Sequence, residues 1–369
     1  MIHTSSSSKS PRPSPHVAAH ARLLAHLHQD LLPFGWSLSG WQEATASAAS
    51  TTGPASVSMA HGLMLDLPKD EQTLLQNWQD DFEHHFASLS AKKTHASELL
   101  HQAHQEPESF WGQMMESCRL AAVALFFEDD EATLISEAWM RSCARLGHFD
   151  ARTWPDRWED FSTMPLPQPS HPLPALGLYP VLPDAQWVNK MVDVGLPTVQ
   201  LRFKSEDRQA IEREVKAAVR ATESSKTRLF INDHWEIAMD AGAYGLHLGQ
   251  EDFAVAPMEK IRQSPCVLGL STHGYVEMLH AAKHAPGYLA LGAVFPTTLK
   301  QMKTKPQGLG RLKAYASLMK PFSLVGIGGI DESQFKAVQA CGVGSIAVVR
   351  AIVAHPQPEA QARHLMAYF

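Results

Sequence analysis

The stretch RLFINDHWEIAMDAGAYGLHLGQED, residues 228–252, holds two short apolar runs that each end in polar residues, RLFIND (228–233) and GLHLGQ (245–250). The segment between them is too long for a hairpin turn and has helical character. Such runs read as strands of a parallel sheet buried on both faces. The same alternation extends in both directions. Upstream lie GLYPVLP (177–183) and TVQLRFK (198–204); downstream lie VLGLSTH (267–273), YLALGAV (288–294), SLVGIGGI (323–330) and SIAVVR (345–350). Helix-period segments such as AQWVNKMVDVG and DRQAIEREVKAAVRA fill the gaps, several closed by Gly where a helix should end. Eight strand–helix units predict an α/β fold, a (β/α)8 TIM barrel over residues 176–369. A doubly wound open sheet fits less well, because no GxGxxG follows the first strand.

Upstream of the barrel the pattern changes. Residues 151–175 are rich in proline and predict an inter-domain linker. Residues 17–150 predict a mainly helical or α/β accessory domain of unknown type, with helices around 18–32, 71–88, 92–104, 109–125 and 130–146. Its histidines include His84, His85, His101 and His104, whose spacing could suit a metal; a solvated helix face is the favoured reading. Residues 1–16 are rich in Ser and Pro and predict a disordered tail.

Composition narrows the function. The chain has 369 residues, 44% hydrophobic and 19% charged, enough for two units with full cores. A formal charge of −6 argues against a nucleic-acid partner, although a local basic pocket remains compatible with it. No apolar run is long enough to span a membrane, and the first residues lack the apolar stretch of a secretory leader. The 4 cysteines, Cys118, Cys143, Cys266 and Cys341, show no metal-binding spacing and predict reduced buried thiols, hence a cytoplasmic protein.

In a barrel of this kind the site forms at the C-terminal ends of the strands. Those ends carry Gln200, Arg202 and Lys204; Asn232 and Asp233; Glu251 and Asp252; Ser271 and His273; Thr297, Thr298 and Lys300; Gly328 and Gly329; and Val349 and Arg350. Asp233 and Asp252, on neighbouring strand ends, suit a hard divalent ion such as Mg²⁺, which takes one or two carboxylates and completes its shell with water and phosphate oxygens. Arg202, Lys204 and Lys300 would surround the same phosphates; capping of the following helices would explain the carboxylates alone but not three cations beside them. Gly328-Gly329 after the seventh strand, with the end of the eighth, predicts a second phosphate site built on backbone amides.

VQLRFK, LFINDHWEIA, GLHLGQED, LGLSTH, GAVFPTTLK and VGIGGI, in this order, resemble thiamine phosphate synthase over residues 176–355. The resemblance implies condensation of 4-amino-2-methyl-5-hydroxymethylpyrimidine diphosphate with a thiazole phosphate to give thiamine phosphate and pyrophosphate, a Mg²⁺-assisted step of thiamine biosynthesis. It implies small-molecule substrates and no membrane partner, and a homo-oligomer is compatible with it. Carried over by position, it assigns Gln200, Leu201, Arg202, Phe203, Lys204, Asn232, Ser271 and Lys300 to the pyrimidine diphosphate. Arg202, Lys204 and Lys300 act on the leaving group, and Asp233 and Asp252 hold the metal. Thr297, Thr298, Leu299, Gly329, Val349 and Arg350 fall to the thiazole phosphate. Leu299 stands where the family usually has Thr, and Arg350 where it usually has Ser, so details of thiazole binding should differ here. His234, His247 and His273 are expected to pack or orient. Two rivals stand beside this reading: a thiazole tautomerase-like isomerase on the same barrel, and a non-catalytic phosphate-ligand sensor. The upstream half is either a degenerate remnant of a pyrimidine-phosphate kinase or a helical accessory domain. All the assigned residues lie downstream of residue 175, so a fragment beginning near Leu173 is expected to fold and turn over alone.

Overall fold

The structure, a computed structural model, describes residues 13–38, 69–90, 96–298 and 304–369. They divide into two compact units. The first, within residues 1–29 and 37–155, is helical among its described residues: Pro15–Leu27, Lys69–Ser90, Ala96–Gln105, Phe110–Ala124 and Asp129–Leu146. Each helix buries one stripe, and Leu24, Trp78, Phe82, Trp111, Met114, Ile135 and Trp139 form the interior. His84, His85, His101 and His104 are exposed; His85 stacks on Phe110 and His104 pairs with Glu137 at 3.2 Å. Among the described residues no group of three or more His, Cys, Asp or Glu side chains is placed to hold a metal ion. The cysteines are free and buried.

The second unit comprises residues 30–36 and 156–369 and contains a closed parallel barrel in sequential order. Its strands are β1 (Gly177–Leu182), β2 (Thr198–Leu201), β3 (Arg228–Asn232), β4 (Gly245–Leu248), β5 (Val267–Thr272), β6 (Tyr288–Leu291), β7 (Ser323–Gly326) and β8 (Ser345–Val348). Closure is made by β1 against β8, with Gly177 opposite Ser345. Every residue of β2, β4, β6 and β8 is buried, as the near-continuous apolar runs require. The crossover helix Arg208–Thr222 shows the reason for the alternation. Asp207 caps it by accepting from the Gln209 amide, and Ile211, Val215 and Ala218, spaced at one helical turn, turn inward. Inside the barrel Tyr179, Phe230 and Tyr288 fill the space with Val181, Val267, Val325 and Ala347.

All eight strands stop one to four residues short of the apolar runs. β2 ends at Leu201, β4 at Leu248 and β8 at Val348, so Arg202 and Lys204 lie in a loop while Gln250 and Arg350 open short helices. The Arg202 amide still donates to the Leu182 carbonyl of β1 at 2.8 Å, and the side chains of Arg202, Lys204 and Arg350 line the barrel mouth. The segment expected to be a linker also has structure from residue 156 onward. Trp158–Phe161 is a helical turn whose Phe161 stacks on Tyr275 at 4.9 Å, and Asp156 accepts from Ser317 Oγ at 3.1 Å. No helix among the described residues is long and apolar enough to cross a membrane.

Candidate active site

A cavity of about 640 Å³ opens at the C-terminal ends of the strands. Of the residues expected there, Gln200, Arg202, Lys204, Asn232, Asp233, Asp252, Ser271, Thr297, Gly329, Val349 and Arg350 line it. Three others sit differently. Leu201 is 1% exposed and pairs with Leu182 and Ile231 in the wall. Phe203 is half-buried and its carbonyl accepts from His234 Nε2 at 3.2 Å, so its backbone shapes the loop that carries Arg202 and Lys204. Thr298 reaches the site through Arg350, whose Nη1 donates to Thr298 Oγ1 at 3.2 Å. Leu299 and Lys300 lie outside the described residues.

The acidic corner is built by β3 and β4. Asp233 directly follows β3 with φ 64°, a left-handed conformation that a non-glycine residue adopts only when its surroundings hold it there. Its amide donates to the His247 carbonyl at 2.9 Å, and its Oδ2 accepts from Lys204 Nζ at 2.8 Å. Burial pushes the Asp233 carboxyl up, but the hydrogen bond and charge of Lys204, with a hydrogen bond from Asp252, bring it below the ordinary range. Asp252 moves the opposite way, raised by burial and by the adjacent Asp233 charge. Lys204 is 59% exposed, and exposed pairs contribute only about 0.2–1 kcal/mol. The corner is therefore poorly explained as a stability device. Two hard oxygen donors that repel each other fit a divalent cation such as Mg²⁺, which would relieve that repulsion.

Beneath this corner a chain of hydrogen bonds crosses the barrel. Gln200 Nε2 donates to Tyr179 OH at 3.1 Å, Tyr179 and Tyr288 share a hydrogen bond at 2.8 Å, and Tyr288 OH meets His247 Nδ1 at 2.7 Å. His247 Nε2 then meets Ser271 Oγ at 2.8 Å. The chain ties Gln200 and Ser271, the two residues at its ends, to one another through His247 and the two tyrosines. Burial raises the Tyr179 and Tyr288 phenols well above their ordinary range, so both remain neutral links. Sequence reading missed both tyrosines. Their only signal is a hydroxyl inside the apolar runs GLYPVL and YLAL, and that signal gains meaning only when β1 and β6 face each other across the interior. His273 also lines the cavity, held by Glu277 at 2.7 Å.

The opposite side is glycine-lined. Gly328 and Gly329 have φ 97° and 67°, and their loop is zipped to the one after β6: Phe295 N–H donates to the Gly328 carbonyl at 2.9 Å, and Val294 N–H to that of Ile327 at 2.9 Å. A Cβ on Gly329 would lie 2.5 Å from the Pro296 carbonyl oxygen and 2.7 Å from that of Phe295. Only glycine permits this approach.

Residues 179–352 match the family model for thiamine monophosphate synthase. The thiamine-phosphate synthase of Neisseria meningitidis (serogroup A) is 48% identical over 185 residues, which cover 50% of this chain and 90% of that protein. That of Serratia proteamaculans is 41% identical over 204 residues, covering 55% and 95%. A solved thiamine phosphate pyrophosphorylase from Pyrococcus furiosus is 26% identical with a TM-score of 0.47, covering 52% of this chain and 95% of that one. With at least 90% of the Neisseria and Serratia synthases covered at 41–48% identity, the chain belongs, through its barrel unit, to the thiamine-phosphate synthase family and is a transferase of thiamine biosynthesis.

Proposed function

We propose that the cavity joins a hydroxymethylpyrimidine diphosphate to a thiazole phosphate, with the diphosphate at the Asp233–Lys204 corner and the thiazole phosphate between Gly329 and Arg350. The observation that carries the reading is the pairing of two unlike anion sites in one cavity. One combines carboxylates with cations; the other combines a tight glycine turn with a guanidinium. An isomerase acting on a thiazole phosphate alone has no use for the first, and a sensor has no use for a leaving-group pocket, so neither rival is favoured.

The chemistry is a displacement in which the C–O bond to pyrophosphate breaks ahead of C–N bond formation. The leaving oxygen takes the bonding pair, and the thiazole nitrogen then supplies the pair for the new bond. Asp233 and Asp252 would hold Mg²⁺, which when bound neutralises charge on the diphosphate oxygens. Arg202 and Lys204, with Lys300, stabilise the charge that grows on the departing group, so they act chiefly in the transition state. Gln200, Asn232 and Ser271 orient the pyrimidine, whose amino group stabilises the developing cation without a protein base. Thr297, Thr298, Gly329, Val349 and Arg350 hold the second substrate within reach, and this positioning removes much of the remaining barrier. Buried reduced thiols and a biosynthetic role fit a cytoplasmic enzyme.

Turnover assayed with both substrates and Mg²⁺ tests the reading. Asp233→Asn and Asp252→Asn are expected to remain folded and to lose at least about a hundredfold in kcat, the scale of removing one electrostatic stabiliser. Parent-like turnover by either variant at limiting Mg²⁺ would contradict the metal assignment.

A further inference from the structure

We infer that the segment Asp30–Trp36 braces the loop between β6 and the helix Gly308–Leu318, and so positions the thiazole-phosphate end of the cavity. The inference rests on the assignment of Thr297 and Thr298 to that end. The segment lies far upstream of the barrel in sequence, yet it belongs to the barrel's compact unit.

The loop is closed at its base by two bonds, from Gln307 N–H to the Ala293 carbonyl at 2.8 Å and from Gly308 N–H to that of Val294 at 2.9 Å. The described parts of the loop, 292–298 and 304–307, have no helix or strand of their own, and such segments open at little cost unless something packs on them. Asp30–Trp36 does so at several points. Phe34 N–H donates to the Pro306 carbonyl at 3.1 Å, the Phe34 ring meets the face or edge of Phe295 at 5.4 Å and 86°, and Lys305 Nζ sits 4.0 Å over the Trp36 ring. Below these, Arg311 is 4% exposed; its Nε donates to the Leu31 carbonyl at 2.9 Å and its Nη1 to Gln307 Oε1 at 3.2 Å. Tyr315 OH donates to the same Gln307 oxygen at 3.1 Å. A buried guanidinium requires acceptors, and here two of them are the brace and the foot of the loop, which it ties together. Gly310 has no side chain because a Cβ there would collide with the Asp30 carbonyl. Phe295, gripped by Phe34, is also the residue whose amide holds Gly328, and Thr297 and Thr298 follow it after Pro296. The brace therefore acts on the glycine turn and on both threonines through one side chain. A fragment beginning near Leu173 lacks it, so such a fragment should be impaired toward one substrate only.

The test uses the full chain carrying Phe34→Ala or Trp36→Ala, with Phe34→Tyr as the conservative variant. Each substrate is varied in turn, and hydrogen exchange is followed over 292–298 and 304–308. The expected result is a KM for thiazole phosphate raised about three- to tenfold, the scale of one aromatic contact, with faster exchange in the loop. kcat and the KM for the pyrimidine diphosphate should stay within about twofold, and Phe34→Tyr should behave like the parent. Unchanged loop exchange in both alanine variants overturns the brace. So does an equal rise in both KM values with a lowered Tm, which marks general loosening. Faster exchange with an unchanged thiazole KM shows instead that the loop is braced but does not hold that substrate. That outcome refutes the assignment of Thr297 and Thr298 and, with it, this inference.

Discussion

Replacing Gly329 by Ala should separate the shape of the glycine turn from its backbone strain. The new Cβ would lie 2.5 Å from the Pro296 carbonyl oxygen, about 0.9 Å inside ordinary contact at 3.4 Å. Both nearby atoms are backbone oxygens of the loop that leads into Thr297, so no flexible side chain can yield. Relief requires the two loops to part by most of that distance, or Gly329 to leave φ 67°. The left-handed conformation alone costs about 1–2 kcal/mol for alanine, and overpacking typically adds about 1–3 kcal/mol. A displacement near 1 Å at a reacting site can cost roughly a hundredfold in rate. Gly195 supplies the control: it ends the helix Ala185–Val194 at φ 86°, with nothing within 4 Å of where its Cβ would stand. Gly195→Ala should thus lower stability by only the conformational cost, about 1–2 kcal/mol, and leave kinetics unchanged. Gly329→Ala should lower it by about 2–5 kcal/mol and raise the thiazole phosphate KM at least tenfold. The assays are urea unfolding followed by circular dichroism, and steady-state kinetics with each substrate varied. If the two alanine variants lose equal stability and both keep the parent KM, the steric argument is wrong.

Two further outcomes are expected. Arg350→Ala removes the guanidinium that reaches Thr298, and loss of one charged hydrogen bond, about 1.5–3 kcal/mol, should raise the thiazole phosphate KM by roughly ten- to a hundredfold; parent-like kinetics would make Arg350 a surface residue of its helix. In the helical unit His20 is 2% exposed and stacked on Trp78 at 3.9 Å, and burial, aided by the neighbouring His16, depresses its pKa from 6.5 to about 3. Between those values the unfolded chain binds the proton and the folded one does not, so His20's contribution is full above pH 6.5 and falls as pH drops toward 3. His20→Leu should flatten the acid limb of the stability curve of this unit, and curves for parent and variant that run parallel from pH 7 to about 4 would refute it.

The sequence by itself determined the barrel and most of the rim of its site. Strand and helix periods are local properties, and in a parallel barrel the C-terminal end of each strand faces the same mouth, so reading the ends of eight runs collects residues such as Gln200, Asp233, Asp252 and Gly329 into one cavity without any knowledge of contacts. What local periodicity cannot carry is which side chains meet. That Lys204 lands on Asp233, that Arg350 reaches Thr298, and that two tyrosines on β1 and β6 join Gln200 to Ser271 all depend on barrel closure and strand register. Where each strand stops was likewise decided by tertiary contacts: the Arg202 amide still donates to the Leu182 carbonyl at 2.8 Å, while its side chain lines the cavity. The longest hydrogen-bonded reach among the described residues joins Leu31 and Arg311, 280 residues apart. A carbonyl in a short turn and an arginine in a helix carry no mark of each other in sequence, and only packing, which brings a buried charge to the nearest acceptor, made them partners.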